Sequence, residues 1–113
     1  KKMFDAEAVD YAQPSVTKVG GITEFKKISS LADNYGVQVM PHSPYFGPGF
    51  LATLQLAQSM PNPGLLERFF IDFEAYLYPE KTFNPKDGFF EISDHIGLGI
   101  DPDLDVIKDY RVK

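Results

Sequence analysis

The sequence predicts an α/β fold with about three parallel strands and two helices, followed by an irregular tail. Two short apolar segments flank a longer segment in which apolar residues recur every three or four positions, which is the pattern of a β-α-β unit. The same alternation then occurs a second time. Because the connections are short, we expect parallel strands joined by right-handed crossovers.

The first predicted unit begins with an apolar strand at residues 15–19, which Gly20 and Gly21 close. Thr23 is a suitable N-cap for the helix that follows, and Gly36 has the position of a glycine just beyond a helix C-terminus. The second strand is predicted at residues 37–40. The apolar face of the intervening helix consists of Phe25, Ile28, Leu31 and Ala32.

The second predicted unit begins with a loop at residues 41–49, which contains three prolines and two glycines. A helix is predicted at residues 50–59, and the breaker "MPNPG" separates it from a third strand at residues 65–69. The apolar face of this second helix consists of Phe50, Leu51, Leu54 and Ala57.

Residues 71–113 form a tail with many turn residues and little periodicity. A strand at 89–92, a short helix at 103–109 and a last strand at 110–112 are predicted within it. Three parallel strands that are apolar on both faces would leave two open sheet edges. We therefore expect residues 1–70 to be the C-terminal portion of a larger enzyme and the tail to pack against another part of it.

The composition excludes several classes of function. The formal net charge is −5 and lysines and arginines form no cluster larger than a pair, which argues against nucleic-acid binding. No apolar segment is long enough to cross a membrane. The chain has no cysteine, so disulfides and zinc–thiolate sites are excluded, and a reducing, cytoplasmic location is expected.

Candidate catalytic residues stand near the carboxyl ends of the three predicted strands, where parallel α/β folds place their active sites. These residues are Ser15, His42 and Glu67, which are 27 and 25 residues apart, about one β-α repeat in each case. Successive repeats would bring the side chains to a similar height. An imidazole beside a carboxylate can act as a general acid or base.

Each candidate also has a structural interpretation. His42 is then an inert loop histidine, Glu67 forms an ion pair with Arg68, and Ser15 is a plain core hydroxyl. Tyr45 and Phe46, in the loop after His42, either line a substrate pocket or only cover the end of the fold. Against the structural interpretation of Glu67, "LLERFF" places one carboxylate in an apolar strand, where it needs a partner.

Nearly the whole chain resembles the mandelate racemase and muconate lactonizing enzyme families of the enolase superfamily. The resemblance lies in "QPSVTKVGGITEFKKISSLADNYGVQVMPHSPYFGPGFLATLQLAQSMPN", "LLERFF" and the closing "GFFEISDHIGLGIDPDLDVIKDYRV". It implies the C-terminal part of a modified TIM barrel, (β/α)7β, with this chain supplying the last three strands. The tail would then pack against the barrel and a separate capping domain.

The resemblance also implies roles for the candidate residues. His42 matches the seventh-strand histidine that acts as general base or acid, and Glu67 matches the eighth-strand glutamate that binds the substrate carboxylate. Ser15 stands where racemase-like members have an aspartate that orients the histidine, and where lactonizing-like members have a lysine. This serine is a departure from the family pattern. Mg²⁺ is the implied cofactor, with its ligands on upstream strands and none in this chain.

The implied function is proton abstraction next to a carboxylate, through an enediolate, by a dehydratase or a racemase/epimerase of a hydroxy or amino carboxylate. The partners implied are a small carboxylate substrate, the rest of the barrel, the capping domain and further copies of the enzyme. The alternatives are a degenerate, non-catalytic paralogue without its His–Asp dyad, a fragment that is inactive alone, and a small doubly wound binding domain unrelated to barrels.

Overall fold

A computed structural model describes residues 1–112, which form an α/β unit with a small parallel sheet and a long, mostly irregular tail. The regular elements in chain order are α1 (Lys2–Asp5), β1 (Tyr11–Ala12), α2 (Ile22–Asn34), β2 (Gln38–Val39), α3 (Pro48–Ser59), a 3-10 helix (Glu80–Phe83) and α4 (Leu104–Asp109).

The sheet is built around β2. β1 lies parallel to it, with Tyr11 opposite Gln38 and Ala12 opposite Val39. On the other side of β2 a parallel bridge joins Val39 to Pro63. The Gly64 amide donates to the Val39 carbonyl at 2.9 Å, and the Val39 amide donates to the Asn62 carbonyl at 3.3 Å. Three parallel segments are therefore adjacent, in the order in which they occur along the chain.

The first core cluster lies between this sheet and the two long helices. α2 contributes Phe25 and Ala32, both with no exposed surface, and α3 contributes Ala52 and Leu56. The predicted apolar face of α2 is confirmed at Phe25 and Ala32, whereas the residues of α3 in this cluster, Ala52 and Leu56, were not in the face predicted for that helix, of which only Ala57 borders the cluster. α2 ends as predicted, with Gly36 in the left-handed region at a φ of +67°.

The second core cluster joins α3 to the tail. Phe50 of α3 packs against Phe83, with ring centroids 5.4 Å apart, and neither side chain is exposed. Leu51, Leu54 and Tyr78 complete the buried part of this cluster. α3 is consequently covered on two sides, which is why six of its residues are buried.

The first predicted strand was wrong in position. β1 occupies Tyr11–Ala12, whereas residues 15–21 fold into successive turns, with the Val19 amide donating to the Ser15 carbonyl at 3.0 Å. Pro14 has no amide hydrogen and so cannot donate to a ladder, although its carbonyl still accepts from the His42 amide. The predicted Thr23 cap was also wrong, because α2 begins at Ile22 after Gly21, whose φ of +96° favours glycine.

Of the remaining predicted strands, only the second was correct, since β2 at Gln38–Val39 lies within the predicted residues 37–40. The third segment pairs at residue 63 rather than at 65–69, and residues 89–92 and 110–112 form no strand. An antiparallel bridge between Lys86 and Phe89 closes the turn before the fourth predicted strand. The short tail helix was correct: α4 begins after Asp103, whose carboxylate accepts from the amides of Asp105 and Val106.

Within the described part of the chain, no helix has both the length and the apolar character that a membrane crossing requires.

Gly64 provides a test of how closely the third segment approaches β2. A Cβ atom at this position would lie 2.5 Å from Met40 Cγ and 3.3 Å from the Val39 carbonyl oxygen. We expect Gly64→Ala to lower the free energy of unfolding by roughly 1–3 kcal/mol, the usual cost of overpacking. Urea denaturation of the protein measures this.

The control is Gly47→Ala, because a Cβ at Gly47 meets nothing within 4 Å and its φ is −127°. The free energy of unfolding should fall less in this variant than in Gly64→Ala. Equal losses would show that the approach of residue 64 to β2 is not a tight constraint.

Candidate active site

The site is positioned by the chain segments that leave the sheet after β1 and β2. The pairing between them continues beyond the strands themselves. The Met40 amide donates to the Ala12 carbonyl at 2.9 Å, and the His42 amide donates to the Pro14 carbonyl at 3.1 Å. The backbone of residue 42 is therefore held beside residues 14 and 15, at the carboxyl edge of the sheet.

His42 and Glu67 form the central pair of the site. His42 Nδ1 lies 2.8 Å from Glu67 Oε2, and the same carboxylate oxygen accepts from the Ser43 amide at 3.0 Å. The sequence predicted that a carboxylate in "LLERFF" needs a partner, and it has two. Arg68 is not one of them: its guanidinium donates to the Phe83 carbonyl at 2.6 Å, to Asn84 at 2.7 Å and to the Phe69 carbonyl.

The pair is only partly buried, with 37% of the His42 side chain and 35% of the Glu67 side chain exposed. An ionised carboxylate can only accept hydrogen bonds, so Nδ1 carries the hydrogen in this contact. In the neutral ring the lone pair then lies on Nε2, which has no hydrogen-bond partner among residues 1–112. Such a nitrogen can accept a proton, and its protonated form can donate one.

Ser15 is close to this pair in the chain trace but does not contact it. Its side chain is only 4% exposed, and its hydroxyl bonds to the Tyr45 hydroxyl and, at 3.1 Å, to Thr17. The position where the family resemblance led us to expect an aspartate or a lysine thus holds a hydroxyl with other partners. The carboxylate that contacts His42 is that of Glu67.

The two aromatic residues of the loop occupy different surroundings. The Tyr45 ring meets the His42 ring edge to face, with centroids 6.4 Å apart. Phe46 instead belongs to the aromatic cluster of the tail, with its centroid 4.8 Å from that of Phe73 and 5.5 Å from that of Phe83. Tyr45 is therefore part of the site, and Phe46 anchors the site loop to the tail.

Two contributors to the site were not singled out from the sequence. The Ser43 amide is a backbone group and carries no residue-type signal. Thr17 donates to the Tyr45 hydroxyl at 2.8 Å. The only sign of Thr17 in the sequence was its spacing of two from Ser15, which would place both side chains on one face of a strand, but these residues form turns and not a strand. Lys18, in the same turns, is exposed.

Residues 1–112 contain no group of three or more His, Asp or Glu side chains that could hold a metal ion. A Mg²⁺ site needs several oxygen ligands in octahedral arrangement. The donor set of residues 1–112 therefore does not form a complete metal site.

A histidine–carboxylate pair at the carboxyl edge of a parallel sheet is typical of acid–base enzymes with α/β folds. Residues 1–106 match the family model described as "Enolase C-terminal domain-like", so the chain belongs to this family. The resemblance to mandelate racemase and muconate lactonizing enzyme found from the sequence motifs is confirmed.

Curated relatives include sugar-acid enzymes. The chain is 31% identical to a D-xylonate dehydratase from Haloferax volcanii over 115 residues, covering 100% of this chain and 28% of the relative. It is 36% identical to a D-galactonate dehydratase family member from Enterococcus gallinarum over 104 residues, covering 89% of this chain and 26% of the relative. The chain thus spans between a quarter and a third of these proteins.

Solved structures agree in fold. An enolase from Pantoea ananatis with bound D-gluconate and Mg superimposes with a TM-score of 0.82 at 27% identity, covering 99% of this chain and 28% of that one. The 3,6-anhydro-D-galactonate cycloisomerase from Zobellia galactanivorans gives a TM-score of 0.82 at 30% identity, covering 99% and 32%.

The hydrogen bond that Glu67 accepts from the Ser43 amide can be tested by hydrogen exchange. Glu67→Ala leaves this amide without its acceptor, and we expect its hydrogen exchange to accelerate by about tenfold or more, as for the loss of a hydrogen bond to a charged group. Glu67→Gln retains an oxygen acceptor and should preserve most of the protection. Exchange at wild-type rate in Glu67→Ala would contradict the contact.

Proposed function

We propose that this chain supplies the histidine–glutamate pair of a Mg²⁺-dependent dehydratase or racemase/epimerase that acts on a small hydroxy carboxylate. The observation that carries the proposal is the 2.8 Å contact between His42 Nδ1 and Glu67 Oε2, which leaves Nε2 for a substrate proton. The names of the relatives, several of them sugar-acid dehydratases, support a sugar acid as substrate and dehydration as the reaction.

His42 is the proton-transfer residue in this proposal. Its Nε2 takes the hydrogen on the carbon next to the substrate carboxylate, and the C–H electrons form the double bond of an enediolate. In dehydration the adjacent hydroxyl then leaves as water after receiving a proton, and the resulting enol becomes a keto acid. In racemisation a proton returns to the same carbon from the opposite face.

Glu67 orients His42 and stabilises the imidazolium that forms when Nε2 takes a proton. The attraction between a charged imidazolium and a carboxylate at this distance is stronger than that of the neutral pair. The family resemblance gave Glu67 a different role, as a ligand of the substrate carboxylate. Both roles use the same side chain, because Oε1 has no hydrogen-bond partner among residues 1–112.

The metal belongs to the rest of the enzyme. Since residues 1–112 contain no metal-binding cluster, we assign the Mg²⁺ ligands to preceding strands of the barrel. When bound, Mg²⁺ supplies stabilisation of the negative charge on the enediolate oxygens. Residues 1–70 would be the last β-α-β-α-β portion of this barrel, and residues 71–113 would pack against the barrel and the capping domain. Self-association remains a prediction.

A non-catalytic paralogue is the competing interpretation, and it arose from the missing acid at position 15. The contact of His42 with Glu67 weakens that interpretation, since the histidine keeps a carboxylate partner. The preference for dehydration over racemisation depends on the names of the relatives.

The full-length protein should be assayed with Mg²⁺ against D-xylonate, D-galactonate, D-mannonate and D-gluconate for formation of a keto acid. We expect His42→Asn to lower kcat by about a hundred- to ten-thousand-fold, the usual contribution of a general acid or base, while Mg²⁺ binding is retained. Exchange of the α hydrogen with deuterated water, without keto acid, would indicate racemisation instead.

The matched control is His95→Asn, which changes an exposed histidine in the tail and should leave kcat within twofold of wild type. An unchanged kcat in His42→Asn would remove His42 from the mechanism. Failure of the wild-type protein to exchange or dehydrate any of these acids would favour the non-catalytic paralogue.

A further inference from the structure

Three hydroxyl groups converge beside the candidate catalytic histidine. Ser15 and Thr17 come from the turns after β1, and Tyr45 comes from the loop after β2. Thr17 Oγ1 donates to the Tyr45 hydroxyl at 2.8 Å, Ser15 Oγ lies 3.1 Å from Thr17 Oγ1, and Ser15 Oγ bonds to the Tyr45 hydroxyl. Each hydroxyl is thus within hydrogen-bonding distance of the other two.

We call these three groups the hydroxyl ring, because each hydroxyl can donate its hydrogen to another member of the set. Thr17 donates to Tyr45, so Tyr45 donates to Ser15 and Ser15 donates to Thr17. Each group then gives one hydrogen bond and accepts one. The nearly buried Ser15 hydroxyl, which is costly to leave unpaired, is satisfied in this arrangement.

α3 packs directly against the hydroxyl ring. A Cβ atom at Gly49, the second residue of α3, would lie 2.7 Å from Thr17 Cγ2 and 3.5 Å from Tyr45 Cδ2. The start of α3 therefore leaves no room for a side chain between the helix and the Thr17 and Tyr45 side chains. The phenol is fixed at its hydroxyl by two hydrogen bonds and along its edge by the start of α3.

The Tyr45 ring in turn contacts His42. The two rings meet at an interplanar angle of 79° with centroids 6.4 Å apart, an edge-to-face geometry within the range of favourable aromatic pairs. The contact between Nδ1 and Glu67 is a single point of attachment, so the imidazole can still turn about it. A fixed aromatic ring beside the imidazole restricts this rotation.

We infer that the hydroxyl ring of Ser15, Thr17 and Tyr45 makes Tyr45 a positioning residue that fixes the plane of the His42 imidazole. Tyr45 and Glu67 then share the task that a single carboxylate has in related enzymes. The inference gives Ser15 a specific role as the buried member that holds the phenol, and it rests on the proposed function of His42.

Thr17 offers a matched pair of variants, since its side chain is exposed and substitutions there should fold. Thr17→Val removes the hydroxyl and Thr17→Ser keeps it. In the full-length enzyme we expect Thr17→Val and Tyr45→Phe to lower kcat by roughly ten- to a hundredfold through misplacement of the imidazole, with KM within about twofold of wild type. Thr17→Ser should retain wild-type kcat.

A second measurement does not depend on turnover. In protein labelled at histidine, the His42 ring signals, assigned with His42→Asn, should shift in the same direction in Thr17→Val and Tyr45→Phe and stay at the wild-type position in Thr17→Ser. Unchanged His42 signals in both hydroxyl-deleted variants would overturn the inference, and so would a lower thermal midpoint with unchanged kcat. If the wild-type protein has no activity, the proposed function fails while these signals still decide the inference.

Discussion

The parallel pairing of β2 with a chain segment on each side is the constraint on which the site depends. β1 and residues 62–64 flank β2, so three segments reach the same edge of the sheet. The hydrogen bond from the His42 amide to Pro14 extends this pairing into the site itself. Because neighbouring parallel strands end at related heights, an imidazole after one and a carboxylate after the next can meet at 2.8 Å.

The spacing of the chain predicted this meeting, although the same spacing also included Ser15, which contacts neither side chain. His42 and Glu67 are one β-α repeat apart, and such repeats recur at a nearly constant length because helix and strand must run back along each other. The helices were predictable for a similar reason, since Phe25 and Ala32 mark a buried face at the helical period. Both predictions depend on a repeating pattern in the sequence, the length of the β-α repeat in one case and the helical period in the other. The packing of the fold agrees with both patterns.

The same reasoning failed where a local backbone constraint decides the structure. Residues 15–19 have the apolar character of a strand, but Pro14 offers no amide donor to the ladder and two glycines with positive φ turn the chain into α2. These turns bring the Ser15 and Thr17 hydroxyls to the same phenol. A strand would also have placed residues 15 and 17 on one face, but it gave no indication that Tyr45, thirty residues further along the chain, is their shared partner.

The segment at 65–69 shows how a strand-like sequence can lack a strand when its partner is elsewhere. Arg68 ties this segment to the tail through the Phe83 carbonyl and Asn84, while Leu65 and Phe70 are 75% and 83% exposed. Burying each of these side chains would contribute roughly 1.5–3 kcal/mol. In the proposed barrel, the last strand pairs with the first as well as with its predecessor, because closure leaves no free edge. An upstream strand would then supply the ladder that the described residues lack and cover these apolar side chains, without moving Glu67 from the carboxyl edge where it meets His42.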